Sequence, residues 1–100
     1  MQMKFKLTVG AAIAALVSVA GAQDVQVVKI GHVAPVSGPQ ASYGKDNENG
    51  ARMAIEDLNA QNIVINKKKI KFELLAEDDA ADPKQGAAAA QKLCDAKVSG

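Results

Sequence analysis

One hundred residues hold one small domain at most, and twelve basic against eleven acidic side chains leave a formal net charge of only +1. That balance implies no nucleic-acid partner and no anionic membrane surface. Cys94 is the single cysteine, which excludes a disulfide within these residues.

The chain opens with an export pattern. Lys4 and Lys6 form a positive segment, Leu7 to Val19 an apolar one, and Ala20-Gly21-Ala22 a small-residue cleavage site, so residues 1–22 read as a signal peptide cut before Gln23. A transmembrane anchor is the competing reading, but the apolar run is about 13 residues against the roughly 20 needed to span a bilayer. No cysteine follows the cut, so a lipid-anchored product is not expected. Removing the leader takes away two lysines and no acid, leaving ten basic against eleven acidic residues and a net charge of about −1 for residues 23–100.

Past a short frayed end, Val25 to Val33 reads as a strand. Val25, Val27, Val28 and Ile30 make a near-continuous apolar run, which suits a strand covered on both faces in a parallel sheet. His32 lies at its end without metal-ligand company, and a hydrogen-bonded structural histidine is the expected role. Next comes a Ser/Gly/Pro-rich loop, Val33 to Gly44, in which Gly38 and Gly44 permit tight backbone paths and Pro39 stiffens them. In an open α/β sheet ligands bind outside the carboxyl ends of the strands, so function should sit in this loop. Tyr43 is its one aromatic, able to cover an aliphatic ligand group with its ring while its hydroxyl reaches a polar one, or else to pack the loop onto the domain.

A helix is predicted from about Lys45 to Ala60. Its apolar residues Ala51, Ala54, Ile55 and Leu58 fall at i, i+3, i+4 and i+7, Asp46 and Glu48 lie near its positive end, and Glu56-Asp57 face outward. Ile63 and Ile65, then Ile70, Phe72 and Leu74, alternate about an Asn66 to Lys69 turn, giving a short strand paired to a longer one. That turn also explains the basic run Lys67-Lys68-Lys69 with Lys71 as a solvated feature. The acidic cluster Glu77 to Asp82 could hold a cation, but Asp82 before Pro83 is also a ready helix cap, and capping with loop-shaping is the preferred reading. The second helix is predicted from Pro83 to about Lys97, with Ala87, Ala90, Leu93 and Cys94 as its apolar stripe and Cys94 as a buried small residue. A right-handed β-α-β unit then needs another strand, and Val98-Ser99-Gly100 is where it should begin; the chain reads as truncated there. Two parallel-type strands with unpaired edges make a small core, poorly suited to folding alone.

The run IGHVAPVSGPQASYGKDNENGARMAIEDLNA, followed by ELLAEDDAADPKQGAAAAQKL, resembles the start of the periplasmic branched-chain amino-acid binding proteins, soluble receptors of ABC importers and members of the type I periplasmic binding proteins. The match covers nearly all of Val25 to Val98 and rests on the SGP, YG and DDxxDP elements taken together. The resemblance implies an α/β fold in which these residues open the first of two lobes, a Rossmann-like parallel sheet. It implies a periplasmic receptor that delivers leucine, isoleucine, valine or a related free amino acid to a membrane permease, with no cofactor and no catalysis. It places Tyr43 of the YG element at the ligand pocket, with Ser37 and Gly38 in the same loop as further candidates. It also marks a departure: many relatives carry a cysteine in the loop after the second strand of the lobe, where this chain has Ala80-Ala81, so the bridge made there should be missing.

Other functions fit less well. An exported enzyme would need a phosphate cradle such as G-x-G-x-x-G or G-x-x-x-x-G-K-[ST] after the first strand, or a nucleophile with its base, and neither pattern is present. A ligand-sensing receptor ectodomain on the same fold, or a truncated fragment without function, are the alternatives to the importer receptor.

Overall fold

The computed structural model describes residues 24–100. The proposed signal peptide and its cleavage point lie outside the described residues. Five elements follow in order: β1 (Val25–Ala34), α1 (Ala41–Ala60), β2 (Val64–Ile65), β3 (Lys68–Asp78) and α2 (Pro83–Asp95). The sheet is ordered β1-β3-β2. β1 and β3 run parallel over ten residue pairs, from Val25 opposite Lys69 to Ala34 opposite Asp78, and β2 joins β3 antiparallel. The α/β class and the β-α-β crossover are therefore as expected, with a mixed sheet.

Strand alternation assigns the two faces. Gly31 of β1 meets α2, since a side chain there would come within 3.0 Å of the Leu93 Cδ1. By the two-residue period of a strand, Ile30, His32 and Ala34 point the other way, toward α1. Ala34 and Ile70 are buried on the α1 side, Ala89 and Leu93 on the α2 side, and the helices make no contact with each other. Burial is uneven along β1: Val25 and Val27 remain 55% and 45% exposed, so only the carboxyl half of that apolar run is covered among the described residues.

Several local readings change. α1 begins at Ala41, a full turn before Lys45, which moves Tyr43 and Gly44 out of the loop and into the helix. Asp46 and Glu48 consequently miss the first turn, which holds no acid. The cause is tertiary. Gly44 packs so closely on Pro35 that a Cβ would lie 1.5 Å from the Pro35 carbonyl oxygen, and this contact, rather than a charge at the helix end, fixes where the helix starts. The buried stripe of α2 is likewise rotated. Ala89 and Leu93 face the sheet while Ala87, Ala90 and Cys94 are exposed, because four successive alanines leave the phase to Leu93 seating on Gly31. Ala54 of α1 is exposed as well, the half-buried positions being Ala51, Ile55 and Leu58.

The hairpin is tighter than its alternation suggested. Asn66 and Lys67 both take positive φ, 52° and 66°, as a two-residue type I′ connection requires, so β3 starts at Lys68. Asn59 near the end of α1 then serves the sheet. Its side-chain amide donates to the Phe72 carbonyl at 2.9 Å and its oxygen accepts from the Phe72 amide at 2.8 Å, where β2 is too short to reach. At the carboxyl end of α2, Lys97 adopts φ 61° and the amides of Lys97 and Val98 donate back to Cys94 and Leu93. This paired closure reverses the chain. Ser99 and Gly100 then run beside β1, with the Ser99 amide donating to Lys29 at 2.8 Å and the Gly31 amide donating to Gly100 at 2.7 Å. These two residues therefore lie along the edge of β1 that faces away from β3.

Candidate binding loop at the strand ends

Two loops meet at the carboxyl ends of β1 and β3, and Asp78 joins them. Its Oδ1 accepts from the Val36 amide at 2.8 Å and the Ala80 amide at 2.9 Å, while its Oδ2 accepts the Ser37 hydroxyl proton. One carboxylate therefore satisfies donors from the loop after β1 and from the loop after β3. The Ser37 hydroxyl, with the Val36 and Ala80 amides, holds the Asp78 carboxyl at about 2, below its usual 3.8.

Alternation separates the acidic cluster into distinct tasks. Glu77 turns to the α2 face and pairs with Lys92 at 3.0 Å, an exposed contact of small energetic weight. Asp78 turns to the loop after β1. Asp79 accepts from the Ala81 amide at 2.9 Å, closing a local turn, and Asp82 caps α2 by accepting from the Gln85 amide at 3.1 Å, with Pro83 in the first helical turn. Ala80 and Ala81 are held at φ 50° and 55°, a left-handed conformation unfavourable for alanine. The two aspartates compensate by satisfying the amides so exposed. Among the described residues no group of three or more His, Cys, Asp or Glu side chains is arranged to hold a metal ion.

The three candidate residues occupy different settings. Ser37 is engaged with Asp78, and Gly38 sits at φ 77°, the left-handed bend that turns the loop toward α1 and that glycine adopts without strain. Tyr43 stands in the first turn of α1 with 71% of its surface exposed. With Ser42, Lys45, Asp46 and Asn49 it lines an open depression of about 620 Å³, to which Ser37 and Gly38 do not contribute. The structure therefore brings Ser37 and Asp78 together and sets Tyr43 on an adjoining surface. His32 departs from expectation: its Nδ1 is buried and has no hydrogen-bond partner among the described residues.

Asp78 belongs to the acidic cluster expected to cap and shape the loop, but its hold on the loop after β1 goes beyond that expectation. The available signal was its position as the last strand residue beside a loop whose amides have no ladder partner.

A family model described as periplasmic binding protein matches residues 27–100. The chain belongs to the periplasmic binding protein family. Among curated members it is 40% identical over 94 residues to the Leu/Ile/Val-binding protein of Citrobacter freundii, covering 93% of this chain and 24% of that protein. It is 37% identical to the Leu/Ile/Val-binding protein of Escherichia coli K12 over the same shares, 93% and 24%. To the leucine-specific-binding protein of Salmonella typhimurium it is 40% identical over 83 residues, covering 81% of this chain and 22% of the relative. The chain thus spans about a quarter of the length of these periplasmic binding proteins.

Proposed function

We propose that this chain supplies part of the first lobe of a periplasmic receptor for branched-chain amino acids, which passes leucine, isoleucine or valine to a membrane permease. The observation that carries this reading is the likeness, at 37–40% identity over most of the chain, to relatives named for binding those amino acids. The local geometry is compatible with it: a loop fixed at the strand ends, and beside it an exposed tyrosine whose ring can cover an aliphatic side chain. Tyr43 is the assigned ligand contact, and Ser37 and Gly38 in the adjoining loop are further candidates.

The chemistry asked of such a site is selection by shape and hydrogen bonding. An apolar wall takes the ligand side chain, polar groups fix its charged ends, and closure of a second lobe excludes water. Export is read from residues 1–22, whose basic, apolar and small-residue segments follow the pattern of a cleaved leader.

Calorimetry of the full-length protein with each of the three amino acids tests the reading. Replacing Tyr43 by Ala should weaken binding about tenfold with little loss of stability, the scale of one lost aromatic contact at a recognition site. Unchanged affinity returns Tyr43 to a surface role. Sequencing the exported product from its amino end should give Gln23 first.

A further inference from the structure

We propose that Asp78 is a positioning residue for Tyr43, setting the place of that ring through the backbone of the loop after β1. The inference rests on the ligand-binding reading of Tyr43 and adds the group that holds it in position. Nothing among the described residues hydrogen-bonds the Tyr43 hydroxyl, and the ring is largely exposed, so its location follows from that of the first turn of α1.

That turn has no cap of its own. Gln40 precedes it without a side-chain hydrogen bond, and its first acid comes later than the first turn. What locates it is the contact of Gly44 with the Pro35 carbonyl, where even one added carbon would collide. Pro35 in turn precedes Val36 and Ser37, the two loop residues that donate to Asp78. The physical path therefore runs from the Asp78 carboxylate to Val36 and Ser37, through Pro35 to Gly44, and so to Tyr43 beside it.

The clamp is itself firmly seated. Asp78 is the last ladder residue of β3, paired in register with Ala34, and the Asp79 amide donates to the Ala34 carbonyl at 3.3 Å. Its third donor, Ala80, is held in a left-handed conformation that this hydrogen bond helps to maintain. Removing the carboxylate frees the loop after β1 and relaxes Ala80 together.

The path makes a prediction that a general stabilising role does not. In the full-length protein titrated with L-leucine, Asp78→Ala should weaken binding about tenfold, whereas in a Tyr43→Ala background it should add less than about twofold, because two changes acting through one contact are not additive. Asp78→Asn should stay within about threefold of the parent, since its remaining oxygen can accept from Val36 and Ala80 and its amide can donate to the Ser37 oxygen. Full additivity of Asp78→Ala with Tyr43→Ala overturns the proposal, as does an Asn variant as weak as the Ala one. If Asp78→Ala does not fold, Ser37→Ala removes one of the three bonds and carries the same cycle with an amplitude of about threefold, additivity again being the adverse result.

Hydrogen exchange separates this proposal from the ligand assignment. In Asp78→Ala, or in Ser37→Ala at smaller amplitude, the amides of Val36, Tyr43 and Gly44 should exchange about tenfold faster without any ligand present. Should the parent protein bind none of the three amino acids, the receptor reading fails while exchange still decides the linkage. Unchanged protection at Tyr43 and Gly44 then refutes it.

Discussion

α1 and α2 lie against the same two strands, yet their beginnings are held in opposite ways. α2 carries its own start: Asp82 accepts from Gln85, and Pro83 takes a first-turn position where no amide donor is needed. α1 borrows its start from elsewhere, since the Gln40 side chain caps nothing and the turn is located by the meeting of Gly44 with Pro35. A self-capped helix can be moved or lengthened behind its cap with modest effect. A helix started by a backbone collision limit transmits any shift of its neighbour directly, and here it carries Tyr43, the residue proposed for ligand contact.

The contrast is most sharply tested at Gly44. Gly44→Ala puts a carbon where the Pro35 carbonyl lies, and because backbone must move, a loss of about 3 kcal/mol or more is expected, read from denaturant midpoints of the full-length protein. A loss below about 1 kcal/mol would show that the loop yields freely and that the contact does not define the helix start. At α2 the corresponding change is smaller: Asp82→Ala should cost about 1 kcal/mol, and Gln40→Ala under about 0.5 kcal/mol, by the usual worth of a side-chain cap. Equal costs at the two positions would erase the distinction between the helices.

The last prediction concerns pH. The folded Asp78 carboxyl lies at about 2 against 3.8 for an ordinary one, so its contribution to stability is complete above 3.8 and is lost as pH falls from there through 2. Replacing Asp78 by Asn should therefore flatten the decline in stability over that interval and leave the slope near neutrality unchanged. Thermal melts across the acid range measure it, and an unchanged acid limb in the variant places the carboxyl outside the clamp.

What could be read from the residues follows the range of the interactions. The β-branched run of β1, the hairpin and the Asp82-Pro83 start of α2 were all legible, because strand propensity, turn chemistry and capping act within a few residues. The first turn of α1 was not, since the contact that fixes it joins Gly44 to a proline nine positions earlier through the folded loop. Nor was the buried face of α2: in Ala87 to Ala90 every position is equally small, and only the Leu93 contact with Gly31 selects among them. For the site, the residues place Tyr43 within the loop, whereas the fold puts it in the first turn of α1. The role of Asp78 was absorbed into capping because a run of acids next to a proline offers several tasks, which alternation of the strand then divides.

Asn59 gives β3 a guarded margin. Where β2 stops, the donor and acceptor of Phe72 are already taken by one side chain that is anchored near the end of α1. A strand arriving from another molecule would find that rung of the ladder occupied, and could extend the sheet past it only by prising the last turn of α1 away.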